Sequence, residues 1–164
     1  MTLPVASRRT EVSTFIKAPR EVVYQAFLDP DAVAQWLAPD TMKGQVDIYE
    51  PHKGGRFRIS LTYLDPSNSL VGKTSEDTDT SEGTFLEVVP NEKIIQTTEF
   101  KSNDPDFSGE MKITWSLADS GEGTEITVLM EGIPKGIRLD DNELGSQQSL
   151  RKLASFVENG GFKT

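Results

Sequence analysis

The chain has 164 residues, 35% hydrophobic and 26% charged, with no cysteine. That length can bury one real core, and the missing thiols exclude a disulfide framework, a thiol nucleophile and a thiolate metal site. With 17 basic against 26 acidic residues and a net charge of −9, and no basic cluster longer than Arg8-Arg9, the chain lacks the cationic surface that nucleic acids and anionic membranes require.

No stretch approaches the ~20 apolar residues of a membrane span, and Met1 to Glu11 has no signal-peptide core. A cytoplasmic location without membrane insertion is the resulting expectation. From Arg8 to Ile16 the residues alternate, with Thr10, Val12, Thr14 and Ile16 set against Glu11, Ser13 and Phe15. Period two with β-branched residues predicts a strand. Ala18-Pro19 ends it, and Pro19 suits the first turn of a helix. Val22, Val23, Ala26 and Phe27 then give an apolar helical face. Asp29-Pro30 breaks this helix and starts a second, with Asp29 as N-cap. The second helix turns Val33, Trp36 and Leu37 inward and stops before Pro39.

Strands fill the middle of the chain. Gly44 to Glu50 alternates through Val46 and Ile48, and Pro51 to Gly55 is a turn. Arg56 to Leu64 carries Phe57, Ile59, Leu61 and Tyr63 on one face and Arg56, Arg58, Ser60 and Thr62 on the other. One dry and one wet face mark an antiparallel sheet. Residues 65–82 are polar, with the acidic run Ser75 to Thr80, and are expected to form a long solvated hairpin loop. Strands are expected over Gly83–Val89, Lys93–Phe100, Glu110–Ala118 and Thr124–Glu131. Met111, Ile113, Trp115 and Leu117 share one face of the third; Ile126, Val128 and Met130 share one face of the last. That makes about seven strands. Asp140 or Asp141 is expected to cap a long final helix, with Asp140 and Glu143 at capping-box spacing. Leu150, Leu153, Ala154 and Val157 form its stripe, with Phe156 beside it, and Asn159-Gly160-Gly161 ends it. The expected fold is α+β: an antiparallel sheet covered by one long C-terminal helix, with two short helices after the first strand, forming one domain over 8–160.

The first half of that helix, Gly145-Ser146-Gln147-Gln148-Ser149, is too slight to pack closely on a sheet. A gap is expected there, edged by amide and hydroxyl groups, as ligand pockets are. The candidate ligand-binding residues are Trp36, Phe57, Ile59, Tyr63, Trp115, Met130, Gly145 and Gln148, with Tyr63 offering a hydroxyl. His52, the single histidine, lies in a Pro-Gly turn and is expected to be exposed. Asp77-x-Asp79-x-Ser81 has the opening spacing of a calcium loop, but Glu82 and Val88 stand where Gly and Glu are needed. It reads as a solvated acidic loop. No metal, cofactor or catalytic group is assigned. The facing of Glu50 and Glu99 stays open.

Ala18-Pro19-Arg20-Glu21-Val22-Val23-Tyr24, Phe27, Asp29-Pro30, Trp36 and Pro39 together resemble the homologues of the heat-shock-protein ATPase activator. So do Gly54-Gly55-x-Phe57, Glu87 to Ile94, Gly123 to Thr127 and Leu150-x-x-Leu153. These motifs run in order across residues 10 to 158. The resemblance implies the START-like, helix-grip superfamily that includes polyketide cyclases, and a stress-response setting. It also implies a sheet wrapped around the terminal helix. Relatives often carry a second Trp and a Gly where this chain has Leu37 and Ala38, and Gly-Trp where it has Gly145-Ser146, which implies a wider or reshaped pocket. The expected function is binding of a small apolar or aromatic ligand. The alternatives are a cyclase-like enzyme using Tyr63, His52 or a pocket carboxylate, and a chaperone-ATPase regulator acting through the sheet edge or acidic loops. A chaperone partner and a homodimer stay open.

Overall fold

The structure, a computed structural model, describes residues 8–64 and 78–160. Seven strands form one curled antiparallel sheet: β1 Arg9–Ile16, β2 Met42–Tyr49, β3 Arg56–Tyr63, β4 Thr78–Val89, β5 Lys93–Phe100, β6 Met111–Ser120 and β7 Gly123–Glu131. Their spatial order is β1-β7-β6-β5-β4-β3-β2. Helices α1 Arg20–Leu28 and α2 Pro30–Trp36 follow β1, and α3 Leu139–Glu158 closes the described chain. This is a helix-grip α+β architecture. The second half of α3 buries Leu150, Leu153 and Val157 in one core with Val12, Ile16, Ile126 and Val128. Met111, Ile133 and Ile137 form a second cluster, with Phe100 and Phe107 packed against it.

Local chemistry explains the helix pair. The Pro19 carbonyl accepts from the Val22 and Val23 amides at 3.1 Å each, and the Asp29 carboxylate accepts from the Asp31 amide at 2.9 Å, so Asp29 is the N-cap expected for α2. On α1 the buried face is Val23, Tyr24, Ala26 and Phe27. Val22, expected on that face, is exposed, and Tyr24 is buried in its stead. Gly44 lets α2 lie against β2, because a Cβ there would stand 2.6 Å from the Ala34 carbonyl oxygen.

Three expectations need correction. First, residues 78–82 belong to β4, which begins at Thr78 rather than Gly83. Its outer face is zipped to its neighbours by hydroxyl pairs, Ser60–Thr80 and Thr62–Thr78 at 3.1 Å and Thr84–Thr97 at 3.0 Å. The rest of the expected 65–82 loop, including Asp77, lies outside the described residues. Second, α3 begins at Leu139 with Arg138 at the N-cap and no side-chain cap. The Asp140 carboxylate is taken instead by the Arg138 guanidinium, at 2.9 and 3.1 Å, and by the Asp141 amide. The acidic first turn still favours the helix dipole. Third, a bulge between Val46 and Ile48 shifts the β2 register. Past it Tyr49, not Ile48, packs against the core.

Candidate functional site

The first half of α3 stands off the inner face of the sheet, leaving a cavity of about 660 Å³. The cause is side-chain volume. Ser146 and Ser149 are the buried residues there, and a Cβ at Gly145 would meet nothing nearer than Pro39 Cγ at 3.8 Å. Aromatic rings build the deep wall. Phe27, Trp36 and Trp115 meet edge to face with centroids 4.9, 5.2 and 5.6 Å apart. Phe85 meets Tyr49 at 5.5 Å and Phe57 at 5.4 Å in the same manner. Edge-to-face contact pairs the positive edge of one ring with the negative face of the next, which favours these arrangements. Phe107, Ile137 and Arg138, from the segments before β6 and α3, also line it.

Most polar groups around the cavity are committed to the protein. The Trp36 indole donates to the Ala26 carbonyl at 2.9 Å. The Tyr49 hydroxyl donates to the Phe27 carbonyl. Burial, and secondarily the nearby Tyr24, push the Tyr49 phenol above its ordinary value, so it stays a neutral donor. Segment 37–40 is stitched to α3: Ser149 donates to the Leu37 carbonyl, Lys152 to the Ala38 carbonyl at 2.8 Å, and Gln148 accepts from the Asp40 amide at 3.1 Å. These bonds position the cavity's lip against the helix. The Trp115 indole donates to Gln96 Oε1 at 2.8 Å.

All eight residues singled out from the sequence line this cavity. Trp36, Phe57 and Ile59 do so from α2 and β3, Tyr63 from the end of β3, and Trp115 and Met130 from β6 and β7; Gly145 and Gln148 line it from α3. His52 is exposed in its turn, with Nδ1 3.2 Å from the Lys53 carbonyl oxygen, and Glu50 caps the Arg56 amide at 2.9 Å. Neither lines the cavity. Glu99 is exposed at its margin. The reading of Asp79 as part of a solvated loop is wrong: it is 3% exposed and lines the cavity from β4. Gln96 (8% exposed), Thr98 and Ser146 were also missed. Alternation along β5 from Ile94 would have put Gln96 and Thr98 on the inner face. Among the described residues, no group of three or more His, Cys, Asp or Glu could hold a metal, and no helix is long and apolar enough to cross a membrane.

A sheet curled around a standing helix is shared by many proteins, and sequence comparison decides among them. The family model described as activator of Hsp90 ATPase homolog 1-like protein matches residues 17–158. The chain belongs to that family. A solved member-like structure, a protein from Chromobacterium violaceum, is 33% identical to this activator-homologue chain, covers 93% of it and is itself 98% covered, with a TM-score of 0.81. A Rhodobacter sphaeroides protein is similar at 19% identity, with 92% of each chain covered and a TM-score of 0.74. DynU16, a protein of the dynemicin biosynthetic locus, is similar at 21% identity and a TM-score of 0.65; 93% of this chain and 48% of that one are covered. At the last two identities the likeness is one of fold. No functionally curated protein matches the sequence.

Proposed function

We propose that this member of the activator-homologue family binds a small molecule with an apolar or aromatic body, held between α3 and the inner face of the sheet. One observation carries the reading: a space of about 660 Å³ lies where close packing would otherwise be expected, walled by aromatic rings and edged by a few polar groups. That size and lining suit a drug-sized ligand. Two groups do not serve the enzyme alternative: His52 is exposed on a turn outside the cavity, and the Tyr49 hydroxyl is spent on the Phe27 carbonyl. Tyr63 and the buried Asp79 both line the cavity, and they are the groups on which an enzyme reading would rest. The family name favours a chaperone partner in general terms, without a surface that identifies one.

The chain's 2 tryptophans, Trp36 and Trp115, both line the cavity, so intrinsic fluorescence reports occupancy. Native mass spectrometry of the purified protein is expected to reveal a retained small molecule, and aromatic probes are expected to quench the tryptophan emission saturably. A clean apo mass together with no saturable quenching by any probe overturns the reading.

A further inference from the structure

We propose that the cavity selects ligands bearing a hydrogen-bond acceptor oxygen of the ketone or quinone type on a fused aromatic body, and that Gln96 reads that oxygen. The inference rests on the cavity being a ligand site and goes on to name the ligand's class. It begins with an asymmetry in hydrogen-bonding capacity. An indole N–H can only donate, so the group facing Trp115 Nε1 must accept, and the 2.8 Å contact fixes the Gln96 carboxamide with Oε1 toward Trp115. The amide nitrogen is thereby turned the other way, carrying two N–H donors. Gln96 is 8% exposed and lines the cavity. Among the described residues nothing accepts from that nitrogen, yet no side-chain nitrogen or oxygen is both sealed off and unpartnered. The donors therefore open into the cavity.

A buried donor left unmade is costly, whereas a matched acceptor turns the same group into a source of selectivity. An acceptor oxygen satisfies it; a hydrocarbon of the same shape leaves it bare. The aromatic body follows from the neighbours. Trp115, which orients Gln96, is in edge-to-face contact with Trp36 at 5.6 Å and with Phe27 at 5.2 Å, so the donor is set in a wall of rings. Flat rings pack there and bring their carbonyl to Gln96. Gln96 is thus a specificity residue, and Trp115 is the residue that positions it.

The test uses 9-fluorenone and fluorene, which share a ring skeleton and differ by the carbonyl oxygen, titrated against tryptophan emission. The wild-type protein is expected to bind both and to shift the bound fluorenone carbonyl stretch to the lower frequency of a hydrogen-bonded ketone. In Gln96→Met, the sulfur remains a weak acceptor for the Trp115 indole while both donors vanish. The fluorenone-to-fluorene affinity ratio is expected to fall about tenfold, as fluorenone loses its donors and fluorene no longer leaves them bare. In Gln96→Glu, the indole keeps an acceptor but the ketone meets a carboxylate oxygen, and the ratio falls further. An unshifted carbonyl stretch in the wild-type protein overturns the proposal without recourse to a variant, as does an unchanged ratio in the folded variants. Saturable binding of neither probe overturns this inference, whereas the cavity reading falls only if the native mass is also clean and no other aromatic probe binds.

Discussion

Replacing Gly145 with Trp tests whether the space beneath α3 is where a ligand sits. The glycine lines the cavity, and a Cβ there has Pro39 Cγ at 3.8 Å as its nearest neighbour, so the first side-chain atom of a replacement meets only ordinary van der Waals contact. A tryptophan brings about 150–250 Å² of surface. Denying a ligand ~200 Å² of apolar contact removes about 5 kcal/mol of gross transfer energy. Allowing half of that for ordering and association terms leaves about 2–3 kcal/mol, a loss of at least about 30-fold in affinity. The helix itself does not suffer, because glycine is disfavoured in a helix interior by about 0.8–1.0 kcal/mol relative to alanine and tryptophan ranks between them. The assay is saturable binding of an aromatic probe, followed by native mass spectrometry or probe fluorescence because the new indole adds its own emission, beside a thermal melt. Wild-type affinity in a protein with an unchanged melt refutes the placement of the site. A steep drop in melting temperature refutes it differently, by showing that the space is packed.

Three further outcomes follow from the same geometry. Gly44→Ala puts a methyl 2.6 Å from the Ala34 carbonyl oxygen, an overpacking expected to cost about 1–3 kcal/mol, read as a lower urea midpoint at constant slope. Ser149→Ala removes the hydroxyl that donates to the Leu37 carbonyl and is expected to cost about 1 kcal/mol, with weaker probe binding as the lip at residues 37–40 loosens. Tyr49 sets an alkaline limit. Its folded pKa is raised, first by burial and then by Tyr24, so the folded state holds the phenolic proton more tightly than the unfolded chain does. The stability it contributes is whole below the unfolded value of about 10 and is lost as pH climbs through and beyond it. Tyr49→Phe is expected to flatten that decline in a circular-dichroism titration while costing about 1 kcal/mol at neutral pH through the lost bond to Phe27.

The contrast between β3 and β4 explains how much of this was legible in the sequence. In β3 the inner Phe57 and Ile59 stand against the outer Arg56 and Arg58, so alternation of polarity reported both the strand and its facing. In the first half of β4 the inner residues are Asp79 and Ser81 and the outer ones Thr78, Thr80 and Glu82. Both faces are polar, the period-two signal vanishes, and the segment looks like a loop. The residual cue was β-branching, with threonine at 78, 80 and 84, each now in a cross-strand hydroxyl pair. Gln96 was missed for a different reason: alternation from Ile94 places it on the inner face, but its polarity argued against burial. In β2 a single bulge exchanged Ile48 for Tyr49 on the inner face, an event set by backbone pairing that leaves no mark in residue polarity.

The failures share a physical cause that bears on function. Hydrophobic periodicity reports what a chain hides from water in its own core, and it is strongest where protein packs on protein. A wall that faces a partly polar cavity exchanges protein neighbours for whatever enters, and its residues are selected by a different solvent. The positions where the pattern broke, Asp79, Gln96, Thr98 and Ser146, accordingly line the cavity, while the aromatic positions where it held, Trp36, Phe57 and Trp115, form its deep wall. A ligand matched to this site would be apolar where the periodicity is regular and would offer hydrogen-bonding atoms where it lapses. For that reason the first substitutions to pair with ligand screening are those at the lapses, with Gln96 foremost. Its indole partner leaves it one orientation, and an affinity change there is attributable to the two donors lost rather than to a rearranged wall.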